Sequence, residues 1–192
     1  MIEIALIRPG STDYDVQGRI QGTLDLPLSD QGEAEVLRVI DQLRERGLES
    51  LYASPDQAAW QTASLIAEAL GARLKKLDKL RNLDHGLWQG MLVEEVKRKQ
   101  PKVFRQWQEQ PATVCPPEGE TLAHAQERIQ LSLTKVLKKH KTGRIGLVVA
   151  EPLASIVHSY LSHSSVGDLW KSDKDRGTWE VLSVEPHQLA PL

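Results

Sequence analysis

The chain is expected to be α/β: a three-layer α/β/α sandwich around a mostly parallel central sheet. Three observations predict this. Strand-like and helix-like segments alternate along most of the 192 residues. The runs from Ile2 to Ile7 and from Ile145 to Val149 are the most apolar and β-branched, as strands covered on both faces must be. Each run meets a proline soon after its end, Pro9 and Pro152, where a ladder donor is lost and the strand stops.

The elements follow in order. The first strand ends in Arg8-Pro9-Gly10, where Gly10 permits the chain to turn. Residues 15–28 hold Gly18, Gly22 and Pro27 and read as a loop over the strand end. Ser29 is an N-cap, and Val36, Leu37, Ile40 and Leu43 recur at helical spacing until Gly47. Leu48 to Ala53 is a short strand. Ser54-Pro55 opens a helix whose narrow face is Ala59, Ala63, Ile66, Ala67 and Leu70. Ala72 to Leu77 is a further strand. Residues 80–120 are proline- and glycine-rich and read as an irregular, partly helical insertion in one 1–192 domain, with short helices over 92–99 and 101–108. Thr121 to His140 is a longer amphipathic helix. Arg144 to Ala150 is a strand, Pro152 to Leu161 a helix and Thr178 to Val184 the last strand.

Composition narrows the function. A net charge of −2 without a long basic run argues against nucleic acid as partner. No apolar stretch approaches the roughly 18 residues of a membrane span, and the strand-like start is unlike a signal peptide. A cytoplasmic location is the default. Cys115 is the one cysteine, so no internal disulfide or cysteine metal site can form. No cofactor is expected.

In an open α/β sheet ligands bind beyond the carboxyl ends of the strands. If the two most apolar strands are adjacent, Arg8 and Glu151 meet across one crevice there. The expected ligand-binding residues are Arg8, Ser11, Gln21 and Glu151, of which Arg8 and Glu151 follow from that adjacency. A charge-assisted contact between Arg8 and Glu151 is expected to fill the crevice. His85 reads as a surface or packing histidine. Asp13, Asp15 and Asp84 could join Glu151 on a divalent cation, but their spacing matches no known loop and no metal site is assigned.

Arg8-Pro9-Gly10-Ser11-Thr12, Gly18-Arg19-Ile20-Gln21-Gly22, the segment Ser54 to Ala63 with Gln61-Thr62-Ala63, the segment Leu80 to Gly90 with Gly86, Trp88 and Gly90, Pro116 to Thr121, and Val148-Val149-Ala150-Glu151-Pro152 follow one another at sensible spacing. Together they resemble the motifs of the histidine phosphatase superfamily, the phosphoglycerate mutase-like proteins, over nearly the whole chain. The resemblance implies a phosphoryl-accepting histidine at position 9, an arginine at 58, a proton-donating acid at 82 and a second histidine at 151. The chain has Pro9, Ala58, Asn82 and Glu151. Proline offers no nucleophilic nitrogen, and Asn gives up no proton near neutral pH. A carboxylate at 151 would oppose a phosphate by about 4 kcal/mol at ~4 Å and an effective dielectric of ~20.

On these grounds the expectation is a degenerate member without catalytic residues. It would be a pseudophosphatase, not an enzyme, acting as a binding or regulatory module for an unknown protein or small-molecule partner. Two alternatives stay open: an enzyme with carboxylate- or metal-based hydrolysis at the same pocket, and a residual phosphomonoesterase.

Overall fold

The computed structural model describes residues 1–140, 142–172 and 175–185. Five strands form one sheet: β1 (Ile2–Ile7), β2 (Ser50–Ala53), β3 (Arg73–Lys76), β4 (Gly143–Val148) and β5 (Trp179–Val184). Their spatial order is β3-β2-β4-β1-β5. β1, β2, β3 and β4 run parallel, while β5 pairs antiparallel with β1. The two most apolar strands are neighbours as expected, with Ile7 opposite Val148.

The helices are α1 (Asp13–Gln17), α2 (Asp30–Leu43), α3 (Gln57–Leu70), α4 (Val93–Lys99), α5 (Pro101–Glu109), α6 (Leu122–Leu137), α7 (Leu153–Ser162) and α8 (Leu169–Ser172). One difference from the sequence-based expectation lies in α1, whose residues 15–17 fall in the expected 15–28 loop. A local device builds a helical turn there: Thr12 caps Asp15 N–H, and the Asp15 carboxylate takes the Thr12 N–H in return. The pattern has no apolar periodicity, so hydrophobic spacing could not reveal it.

Two apolar clusters lie on opposite faces of the sheet. One face packs Ile4, Leu6, Ile145 and Leu147 against α6, α7 and the 80–114 segment. The other packs Ala5, Ile7, Leu51 and Ala53 against α2 and α3. Strands between two helical layers must be apolar on both sides, which accounts for the runs in β1 and β4. Trp88 and Trp170 pack against Phe104 and Trp107 of α5, with Phe104 and Trp170 stacked at 4.9 Å and Trp88 and Trp107 edge to face at 6.0 Å. No helix among the described residues is long and apolar enough to cross a membrane.

Candidate functional site at the carboxyl edge of the sheet

The site is built where β1 and β4 end. Val149 N–H donates to Ile7 C=O, so the two chains leave the sheet side by side. Arg8 follows directly and Glu151 lies just past β4. Because β5 is antiparallel, Glu180 near its start stands opposite Leu6 at the same edge. Register alone thus brings three distant residues together. Arg8 Nε donates to Glu151 Oε1 at 2.6 Å, and Arg8 Nη2 pairs with Glu180 Oε1 at 2.9 Å. The expected Arg8–Glu151 contact is present, and both side chains are buried. Glu151 Oε2 also accepts from Ser155 N–H in the first turn of α7.

Glu180 Oε1 carries a second partner, His158 Nδ1, at 3.1 Å. Burial pushes the Glu180 carboxyl up, but hydrogen bonds from Arg8 and His158 and their charges outweigh it and hold the group below its ordinary range. Neither Glu180 nor His158 was singled out from the sequence. An alternating strand pattern explains a polar residue at 180 as solvent-facing, and only the β5–β1 register places it on Arg8.

The remaining expected positions are fixed by specific contacts. Pro9 C=O accepts from Gly177 N–H, and Gly10 N–H donates to Thr62 Oγ1. Ala58 is buried in the first turn of α3. The Asn82 side chain is part of the scaffold: its Nδ2 donates to Glu151 C=O at 2.9 Å and its Oδ1 accepts from Leu83 and Leu153 N–H. Asp56 stands beside it, accepting from Ser54 Oγ and Asn82 N–H. Burial raises the Asp56 carboxyl above its ordinary range, the hydrogen bonds offsetting this only in part. Gln21 links its loop, taking Thr12 O–H and donating to Leu24 C=O.

His85 is a packing histidine. It lies 4% exposed, edge-on to Trp107 at 5.7 Å, with Nδ1 unpaired. Burial lowers it to about 4, so the ring is neutral. Asp15 is taken by Arg176 at 2.6 Å, and Asp84 accepts from Gly86 N–H. Among the described residues no group of three or more His, Cys, Asp or Glu side chains is placed to hold a metal ion.

Beside this edge lies an open cleft of about 390 Å³. Ser11, Arg19, Gln31, Glu35, Trp170 and Arg176 contribute to its lining. Ser11 N–H and O–H both donate to Glu35 Oε2 at 2.8 Å, and the hydroxyl lies 3.1 Å from Oε1. Gln31 Nε2 donates to Glu35 Oε1 at 2.9 Å. Glu35 also escaped the sequence reading, because it interrupts the apolar face of α2 and looks like an ordinary surface residue.

Comparison with known proteins adds the following. The family described as "Histidine phosphatase superfamily (branch 1)" matches residues 4–191. The chain is similar to "Phosphoserine phosphatase 1" of Hydrogenobacter thermophilus, 32% identical over 96% of this chain and 88% of that protein. It is 31% identical to "Phosphoglycerate mutase-like protein 4" of Arabidopsis thaliana, over 96% of this chain and 86% of the relative. Among solved structures, a mycobacterial glucosyl-3-phosphoglycerate phosphatase superposes with a TM-score of 0.83 at 22% identity, covering 95% of this chain and 90% of the other, a likeness of fold.

These relatives correct one expectation. A catalytically inactive binding module is the expectation from Pro9, Ala58, Asn82 and Glu151, yet a relative aligned along 96% of the chain is named as a phosphatase. That points to phosphatase function. The physical reason the inference fails is that Pro9, Ala58, Asn82 and Glu151 exclude only a route that runs through histidines and an acid at those four positions. Ester hydrolysis can also begin from water or from a hydroxyl beside a base.

Proposed function

The chain belongs to the histidine phosphatase superfamily, and from that premise we propose that it is a phosphomonoesterase acting on a small phosphorylated metabolite. The observation that carries this is the 32% identity, over 96% of the chain, with a protein named as a phosphoserine phosphatase. The substrate would enter at the carboxyl edge of the sheet, where Arg8, Ser11 and Glu151 stand and where α/β sheets bind their ligands. Gln21 would hold the loop that borders the entrance.

The chain is further proposed to be degenerate at the family's histidine positions, so that no phosphohistidine forms at residue 9. The phosphorus would then be attacked by an oxygen nucleophile. Carboxylates stand ready for the proton transfers: Glu35 carries hydrogen bonds from a hydroxyl, and Asp56, raised by burial, retains its proton closer to neutral pH than an exposed Asp.

The test is release of inorganic phosphate from O-phosphoserine, 3-phosphoglycerate and p-nitrophenyl phosphate by purified protein. Turnover that follows the folded protein and disappears on heating is expected. Phosphate release no greater than that of the heat-treated sample with all three compounds would overturn the proposal.

A further inference from the structure

The geometry points to Ser11 as the oxygen nucleophile of the phosphatase reaction, with Glu35 as its base and the 390 Å³ cleft as the phosphate-ester site. This rests on the phosphatase reading above and gives it an attacking atom.

Three features of the cleft carry the assignment. First, the Ser11 hydroxyl is within hydrogen-bond reach of both carboxylate oxygens of Glu35, at 3.1 and 2.8 Å. That is the relation of a nucleophile to its base. Carboxylates accept hydroxyl protons in this way in phosphoryl transfer. Second, Glu35 is itself oriented. Gln31 Nε2 and Ser11 N–H hold one oxygen each, so the carboxylate cannot rotate away. Third, two guanidinium groups, Arg19 and Arg176, line the same cleft and suit phosphoryl oxygens. Arg176 is paired with Asp15, and Arg19 Nη1 is anchored on Gly90 C=O.

A purely structural role would account for Ser11 equally well if its hydroxyl were needed to fasten the loop to α2. It is not. The main chain of Ser11 already does this: its N–H donates to Glu35, and its C=O accepts from Ser29 N–H and Oγ at 2.9 Å each. Charge also favours the step. Two buried carboxylates line the cleft: Asp15 is held by Arg176 at 2.6 Å, and Glu35 is neutralised when it takes the Ser11 proton. Glu94 stands at the rim with its side chain 81% exposed, where solvent and salt screen it.

The reaction balances in two halves. Ser11 Oγ attacks phosphorus, forming the Oγ–P bond while the P–O bond to the alcohol breaks. The Oγ proton passes to Glu35, and the departing alkoxide takes a proton from water, leaving hydroxide. That hydroxide attacks the phosphoserine, the P–Oγ bond breaks, inorganic phosphate leaves and Glu35 returns the proton to Oγ. The sum is ester plus water giving alcohol plus phosphate.

The experiment mixes wild-type protein with p-nitrophenyl phosphate, quenches in acid and maps phosphorylation by peptide mass spectrometry. An acid-stable phosphoryl group on Ser11, absent from Ser11→Ala, is expected. Glu35→Gln should lower kcat by about a hundredfold or more with KM within about twofold, and a urea unfolding curve verifies that each variant is folded. If Ser11→Ala does not fold, the wild-type label decides alone. Turnover of folded Ser11→Ala at the wild-type rate, or absence of an acid-stable label on Ser11 in protein that turns over, overturns Ser11 and leaves the phosphatase reading standing. A wild-type protein that releases no phosphate overturns both.

Discussion

Arg8 and Glu151 are separated by 143 positions in the chain and by 2.6 Å in space. Arg8 is bound on its other side by Glu180 at 2.9 Å. One guanidinium therefore ties together the ends of β1 and β4 and the start of β5. Removing one partner of a buried pair leaves an uncompensated charge and costs about 3–5 kcal/mol. Glu151→Ala should fall at the lower end of that range, since Arg8 keeps Glu180. Urea unfolding measures it, and a loss below about 1 kcal/mol would show that Glu180 alone satisfies Arg8.

His85 makes the fold sensitive to acid. Its folded value is lowered to about 4 from 6.5 because the buried ring resists charging. The stabilisation is complete above pH 6.5 and is lost as pH falls toward 4, where the unfolded chain gains a proton that the folded chain refuses. The shift corresponds to about 3 kcal/mol. His85→Leu should flatten this part of the profile. Melting temperatures recorded between pH 7 and pH 4 test it: a slope equal to the wild type's would assign the acid sensitivity to other groups.

Arg128 fastens the loop that carries Asn82. Its guanidinium donates to Glu120 through Nε and Nη2 at 2.6 and 2.8 Å, and to the carbonyls of Lys79, Arg81 and Asn82. A lysine cannot reproduce this planar set of donors. Arg128→Lys should destabilise by about 1–3 kcal/mol and speed amide exchange at residues 79–83. Unchanged exchange there would mean the loop is held by its apolar contacts.

Gly10 lies against the first turn of α2, where an added Cβ would stand 2.3 Å from Gly32 C=O. The neighbour is backbone, so relief requires shifting the helix or the loop. Gly10→Ala should cost about 1–3 kcal/mol and disturb the Ser11–Glu35 contact next to it. A variant as stable as the wild type would show that the loop and α2 can separate without loss.

Much of the architecture was legible in the residues. The unbroken apolar runs of β1 and β4 announced strands covered on both faces. Ser29, Ser54-Pro55 and the helical spacing of α2, α3 and α6 marked helix limits to within a few residues. The α1 turn was not legible, because it rests on the reciprocal Thr12–Asp15 bonds and not on apolar spacing. At the site, the Arg8–Glu151 pair followed from two strand ends being adjacent. Glu180 and Glu35 did not follow, since an acidic residue on a strand or helix carries no sign of which residue will approach it. The expectation of inactivity from Pro9, Ala58, Asn82 and Glu151 rests on one catalytic route, and those four residues do not reveal whether another group of the fold starts the reaction.

The sequence by itself determined the α/β class, the pairing of β1 with β4 and the meeting of Arg8 with Glu151 at their carboxyl ends, because strand burial and proline stops are written in local composition. Only the tertiary structure decided what else gathers around that edge. The antiparallel β5 register puts Glu180 on Arg8, and the packing of the Gly10–Ser11 turn onto α2 puts a hydroxyl on Glu35. Both are contacts between side chains distant in sequence. Their partners are set by the meeting of whole elements, which no single segment encodes.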